Sequence, residues 1–290
     1  MNKKLAIIQS PKGGVGKTTL AQNLATYWRK HGMPCKAYEL EVEQHTLSQT
    51  IEDAYSVTID PGAISQGNSK NLDTIACDLF DDNGSVIIDV GANNQKVFND
   101  WLQQTDLFSH CKERGVDPVI LCVIEGHDAA GYEYPERLSK QLGIHVIPVL
   151  SCIMFNGNET YAKAFAEKHG RPLVIHRLYE NLIEKMVTEH KSLSDIAQGA
   201  HFLERSKIQN ELSKVYAQFD EFAELKVSGG TVIEQNNDPA VAPVNQGHSE
   251  ENSSDQHEQV KVGGTPLQDE SNQFPQSESG GAEQGQGTMM

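Results

Sequence analysis

Positive charge is in short supply in this sequence. It sets 24 basic side chains against 40 acidic ones, for a net charge of −16. A protein that holds nucleic acid by overall basicity does not look like this. Cysteine is sparse as well. Cys35, Cys77, Cys111, Cys122 and Cys152 are odd in number, scattered, and include no Cys-x-x-Cys. A disulfide scaffold, a zinc ribbon and a cysteine-held iron–sulfur cluster therefore lose their basis. No apolar run approaches the roughly 20 residues needed to span a bilayer. Met1–Ile8 passes straight into a strand-like segment, without the apolar stretch and cleavage site of a signal peptide. The expectation is a reduced, cytoplasmic protein with no membrane partner.

Histidine is not rare, at 11 residues, but none stands in His-Glu-x-x-His or another ligand spacing. Ser10 and Ser151 lack the Gly-x-Ser-x-Gly turn of a serine hydrolase. The acidic charge is unevenly placed: residues 226–290 contribute −8 of the total, and Phe274 is their only aromatic. A segment of Gln, Gly, Ser, Asn and Glu buries too little apolar surface to offset its ordering entropy, so residues 226–290 are expected to be disordered.

Residues 1–225 alternate instead. Strand-length apolar runs occur at Leu5–Ile8, Cys35–Leu40, Val86–Val90, Val119–Ile124, Ile144–Leu150 and Leu173–Ile175. Stretches with helical spacing lie between them, at Thr18–His31, Lys96–Phe108, Ala129–Leu142, Tyr161–Lys168 and Leu178–His190, and Phe202–Leu225 reads as a long closing helix. Strands alternating with helices imply right-handed crossovers and a mostly parallel sheet covered by helices on both faces. Continuous runs such as Val-Ile-Leu-Cys-Val-Ile fit strands buried on both sides. The expected organisation is one α/β domain over 1–225 followed by the tail.

The chemistry is concentrated in Ser10-Pro11-Lys12-Gly13-Gly14-Val15-Gly16-Lys17-Thr18-Thr19, between the first strand and the first helix. Glycines allow a tight turn that points successive amides inward, and the helix start adds its positive dipole end, which together make a polyphosphate site. Lys17 is placed to reach the β- and γ-phosphates of a nucleotide, and the Thr18 hydroxyl to bind Mg²⁺. A P-loop NTPase fold follows. The loop departs from the general pattern, because the glycine expected five residues before Gly16 is Pro11, and Lys12-Gly13-Gly14 stands in its place. From its position alone, Lys12 could equally be a local counter-charge.

Lys-Gly-Gly-Val-Gly-Lys-Thr-Thr resembles the deviant Walker A loop of the ParA/MinD family of ATPases. The resemblance covers about residues 3–200 in order and spacing, with residues 10–19 its specific part. It implies that ATP with Mg²⁺ is bound by Lys12, Gly13, Gly14, Val15, Gly16, Lys17, Thr18 and Thr19, and that Lys12 crosses to a partner subunit's nucleotide in an ATP-dependent homodimer. Ser85–Gly91 is an apolar strand ending in Asp89, which resembles the Walker B strand, where the carboxylate supports the metal shell. Many partition ATPases continue Asp-x-Pro-Pro. Here Asp89-Val90-Gly91-Ala92 is closer to the TraL- and StbB-like plasmid-transfer members. A gapless match from Gly32 sets Glu39 and Glu41 on the two aspartates of the family's Asp-x-Asp-Pro-Gln switch, which positions Mg²⁺ and the attacking water. Each glutamate is longer by one methylene, about 1.5 Å of reach, and catalytic geometry punishes displacements of that size. Either the backbone is retracted to compensate, or hydrolysis is slow.

The resemblance thus implies an ATPase that works as a dimer switch in plasmid partition, stability or conjugative transfer, with a partner protein of that machinery. Two other functions fit the same loop: a P-loop small-molecule kinase or synthetase, and an ATP-sensing adaptor with little hydrolysis. No acceptor-binding motif supports the first. Adenine selectivity follows from the resemblance alone, and no Asn-Lys-x-Asp supports guanine. DNA association is possible through Lys207 and Lys214, which share a face of the last helix, but Glu204, Glu211 and Asp220 beside them favour a solvated surface. MinD relatives end in a basic amphipathic helix that lies on membrane, and this acidic C-terminus does not resemble one.

Overall fold

The computed structural model describes residues 2–41, 46–81, 84–125, 133–152, 159–176 and 178–227. The expected tail falls outside these residues from position 228 onward. The chain divides into two units, Met1–Asn236 and Asn237–Met290, and the second lies wholly outside the described residues.

Seven strands make one sheet: β1 (Lys3–Gln9), β2 (Cys35–Leu40), β3 (Ala54–Ser56), β4 (Ser85–Val90), β5 (Val116–Glu125), β6 (Val146–Ser151) and β7 (Leu173–Ile175). Their order is β3-β2-β4-β1-β5-β6-β7, and every pair is parallel. The order reverses at β1, with β4 on one side and β5 on the other, so the crevice of a doubly wound sheet opens at the C-terminal end of β1.

Residues along each strand serve two cores in alternation. Ala6 and Ile8 join Ile87, Val119, Leu121 and Val149 on one face, covered by α1 (Lys17–Lys30), α2 (Thr46–Thr50) and the end of α11 (Phe202–Glu221). Leu5 and Ile7 join Ile88, Ile120 and Leu150 on the other. That face carries α3 (Pro61–Ser65), α4 (Lys70–Asp81), α5 (Gln95–Gln104), α6 (Leu107–Glu113), α7 (Tyr134–Leu142) and α8 (Glu159–His169). A third cluster, built on Leu182, Met186, Leu193, Ile196, Ile208 and Leu212, ties α9 (Glu180–Thr188) and α10 (Leu193–Gly199) to the first half of α11. Cys111 and Cys122 are buried in the second core, where burial pushes each thiol up to about 12. They pack as small apolar groups.

Several elements differ from the sequence expectation. β3, α2, α3, α4 and α10 were not anticipated. The expected helix over 96–108 is two helices, α5 and α6, broken at Asp106, whose φ is 46°. The one expected over 129–142 is described from Tyr134, and residues 129–132 lie outside the described set. The closing helix stops at Glu221 because Phe222 turns extended. The chain then folds back: Leu225 is fully buried, and its carbonyl accepts from Trp28 Nε1 at 2.9 Å. Lys4 Nζ donates to the carbonyls of Ala223 at 3.1 Å and Glu224 at 2.9 Å. Packing continues through Val227, which is buried.

Candidate nucleotide site

The glycine-rich loop spans the gap between β1 and α1 at the sheet's C-terminal edge. Gly14 and Gly16 hold φ values of 71° and 91°, a left-handed backbone that β-carbon-bearing residues rarely adopt. Gly13 and Gly14 are exposed, whereas Val15 is buried in the first core and anchors the loop from below. Gly16 caps α1 and supplies no side chain to the first amides of the helix. Those amides face the loop, the arrangement an anion needs. Thr19 lies in the first turn, half-buried.

Lys17 is buried, and its Nζ donates to the Lys12 carbonyl at 3.2 Å, which closes the loop into a ring. Burial lowers the Lys17 pKa, while the carboxylates of Asp89 and Glu41 act in the opposite sense. Thr18 Oγ1 donates to Asp89 Oδ2 at 2.6 Å. Asp89 sits beside Ile8 of β1 and Glu39 of β2 in the strand register and is only 4% exposed. Its Oδ1 is buried with no hydrogen-bond partner among the described residues. Desolvation pushes the carboxyl up to about 6, with Thr18 and Lys17 lowering it and Glu39 and Glu41 raising it.

The donor set fits a hard divalent cation carried by a polyphosphate. A hydroxyl and a carboxylate lie in contact, one carboxylate oxygen lacks a partner among the described residues, and a lysine stands beside them in the first turn of α1. Such a cation would relieve the desolvated Asp89 charge. Thr18 and Asp89 would hold it, and Lys17 with the loop amides would hold the phosphates.

The other expected residues divide. Lys12 is turned away from the loop centre: its Nζ meets Glu125 Oε2 at 2.8 Å, at the end of β5, with the two side chains 46% and 20% exposed. Glu39 is buried. Its Oε1 accepts from Leu47 N at 3.0 Å, and its Oε2 accepts from the amide and hydroxyl of Ser48, both at 3.2 Å. Glu39 therefore caps α2. Glu41 is half-buried and acts electrostatically on Lys17 and Asp89. Thus Lys17, Thr18, Asp89 and Glu41 converge, Glu39 sits behind them as a cap, and Lys12 lies at the rim.

Three participants lie outside the sequence motifs. Glu125, the partner of Lys12, ends an apolar strand just as Asp89 does, and that was the available signal. Asn94 donates from Nδ2 to the Leu40 carbonyl at 2.9 Å. Gly91 lies against the same carbonyl, and its N–H donates to it at 2.8 Å. Neither contact has a sequence signal, because each joins segments about 50 residues apart.

A parallel sheet that reverses at β1, with a glycine loop running from that strand into α1 and an acidic strand end beside it, decides the fold. It is the fold of the P-loop NTPases.

No protein-family model matches the chain, and no curated protein matches it. Solved structures do resemble it. The MinC:MinD cell division complex of Aquifex aeolicus aligns over 76% of this chain and 96% of its own, with 12% identity and a TM-score of 0.47. A nucleotide-binding protein from Archaeoglobus fulgidus in complex with ADP aligns over 63% and 84%, with 15% identity and a TM-score of 0.43. A plasmid partition protein from Borrelia burgdorferi aligns over 66% and 95%, with 12% identity and a TM-score of 0.38. Likeness at this level carries no residue roles to this chain. No helix among the described residues is long and apolar enough to cross a membrane.

Proposed function

We propose that this chain is an ATPase of the ParA/MinD kind, a nucleotide-dependent dimer switch serving plasmid partition, stability or conjugative transfer. The observation that carries the proposal is the contact of Thr18 with Asp89 beside buried Lys17, beneath a loop that reads Lys-Gly-Gly-Val-Gly-Lys-Thr-Thr.

Mg²⁺–ATP supplies a transferable γ-phosphoryl group when bound. The amides of residues 13–19 and the Lys17 ammonium bind the phosphates and neutralise their charge. Thr18 Oγ1 and Asp89 position the metal shell. Glu41 orients the water whose oxygen attacks the γ-phosphorus as the bond to the β-phosphate oxygen breaks. Glu39, held in the α2 cap, fixes the strand end that presents Glu41. This answers the methylene problem in part, because one of the two glutamates needs no reach into the site.

Lys12 is the cross-subunit residue. Its pairing with Glu125 does not oppose that role, since exposed ion pairs are worth only about 0–1 kcal/mol. The local pair holds the ammonium at the rim and releases it at little cost when a second subunit brings a phosphate.

Two measurements test the proposal. Calorimetry with Mg²⁺ should detect ATP binding to the wild type and a loss of roughly a hundredfold or more in Lys17→Ala. Sedimentation should show dimers with a non-hydrolysable ATP analogue and monomers without it. Lys12→Ala should stay monomeric yet bind nucleotide almost as tightly. Identical sedimentation with and without the analogue removes the switch. The capped state of Glu39 also suits a second reading, an ATP sensor with little hydrolysis. Turnover that is raised by a partner protein or DNA and lost in Glu41→Gln would refute it.

A further inference from the structure

Two departures from the ParA/MinD pattern meet in space. Glu41 stands where the family has an aspartate. Gly91 stands where Asp-x-Pro-Pro places its first proline, two residues after the Walker B carboxylate. A Cβ built on Gly91 would lie 2.5 Å from Glu41 Oε2, 3.0 Å from Glu41 Cδ and 2.6 Å from the Leu40 carbonyl oxygen. Real Cβ atoms do not approach other groups more closely than about 3.0 Å, so a side chain at 91 would have to displace both the Leu40 backbone carbonyl and the Glu41 carboxylate. Backbone conformation is not the reason, because Gly91 is absent from the glycines with positive φ. The glycine is there for space.

The strand end that carries Glu41 is fixed to the same turn. The Leu40 carbonyl accepts from Gly91 N at 2.8 Å and from Asn94 Nδ2 at 2.9 Å. The backbone at residue 41 therefore cannot retract to absorb a longer side chain. The glutamate must lie back, and the surface of Gly91 is where it does so. Its carboxylate remains close enough to act on both Lys17 and Asp89.

We infer that Gly91 is a positioning residue for Glu41: by leaving the volume of a side chain empty, it lets a glutamate deliver its carboxylate to the place an aspartate would otherwise reach. The two departures are one coupled change. The inference rests on the functional reading above, in which Glu41 orients water, and it makes the extra methylene compatible with hydrolysis.

The test is a cycle of Glu41→Asp, Gly91→Ala and the double variant in the full chain, with ATP turnover and Mg²⁺–ATP affinity measured for each. Glu41→Asp should lower turnover tenfold or more because the shorter side chain falls short, with affinity within about threefold of wild type. Gly91→Ala should do the same because its methyl displaces the carboxylate. The double variant should turn over at least tenfold faster than the product of the two single losses, since an aspartate removes the methyl's contact with residue 41 and leaves only the contact with the Leu40 carbonyl, which Gly91→Ala shares. Independent sites multiply to within about twofold, so a product within that margin overturns the inference. So does wild-type turnover in Glu41→Asp. If contact with the Leu40 carbonyl keeps Gly91→Ala from folding, a crystal structure of Glu41→Asp decides: an aspartate carboxylate that falls short of the place held by the glutamate supports the inference, and one that reaches the same place overturns it.

A wild-type protein that binds no ATP, or never hydrolyses it, overturns the functional reading instead. The pairing is then judged by a crystal structure of Gly91→Ala. A Glu41 carboxylate swung away from residue 91 supports it, and one left in place overturns it.

Discussion

Burial lifts the Asp89 carboxyl to about 6, against about 3.9 in an unfolded chain. A carboxyl raised on folding works against the native state over a definite pH range. Below about pH 4 both states are protonated and nothing is lost. Between about 4 and 6 the native state keeps a proton that the unfolded state has released, so stability falls as pH rises. Above 6 the full cost of about 2–3 kcal/mol is present. Asp89→Asn should therefore melt higher than the wild type at pH 7 without nucleotide, and the two should converge below pH 4. Thermal scans across that range check this. Gln9 offers a second case: it is fully buried at the end of β1, and neither amide atom has a partner among the described residues. Removing a desolvated polar group that meets nothing is neutral or favourable. Gln9→Met should thus leave the unfolding free energy, read from denaturant titration, unchanged or raise it by up to about 1 kcal/mol, and a loss beyond about 1 kcal/mol would assign Gln9 a partner.

At the scale of elements, the parts legible in the sequence were those that build their own pattern. β1, β4 and β5 are built on continuous apolar runs, β2 sets apolar residues around Lys36 and Glu39, and the loop from Ser10 to Thr19 carries its chemistry in consecutive residues. α4 also had its pattern, with Leu72, Ile75 and Leu79 on one buried face, but it lies among polar residues with no apolar run to announce it. α2, α3 and β3 are only five, five and three residues long. Pieces so short are made by what they dock against, not by propensity. α2 shows how. Its first amides are capped from another strand by Glu39, so its existence depends on a residue outside it. The site divided along the same line: Lys17, Thr18 and Asp89 lie in recognisable motifs, while Gly91, Asn94 and Glu125 matter only through contacts between distant segments. The cap leads to an expectation for Glu39→Ala, which leaves the buried Leu47 amide and the part-buried Ser48 amide without their acceptor. The protein should lose about 1–3 kcal/mol, and hydrogen exchange should quicken first at Leu47 and Ser48. Uniform quickening across the sheet would contradict the cap.

For the whole molecule, residues 222–227 after α11 are a strap that closes the end of the sheet opposite the phosphate loop. It reaches back to the first elements of the chain: Lys4 at the start of β1 donates to the Ala223 and Glu224 carbonyls, and Trp28 in α1 donates to Leu225. Tyr27 adds a bond from its hydroxyl to Asp220 at 2.6 Å, in the last turn of α11. The helix that begins at the phosphate loop is thus held at its far end by the last described residues. Lys4 is only 5% exposed, and its pKa is lowered by desolvation, against the pull of Asp117 and Glu224. Its charge is tolerable because the two strap carbonyls accept from it, and an uncompensated buried charge is costly. A chain ending at Phe222 would strip Lys4 of both acceptors, Trp28 of its acceptor, and the first core of Leu225. Loss of the buried leucine alone is worth about 2–5 kcal/mol, so this chain should fall by at least that much and melt well below wild type. A chain ending at Val227 keeps all three contacts and should melt within a few degrees of the full-length protein. The pair of melting curves separates the strap from the acidic sequence beyond it. If truncation at 227 proved as damaging as truncation at 222, residues 228–290 would have to carry stability that the strap contacts do not supply.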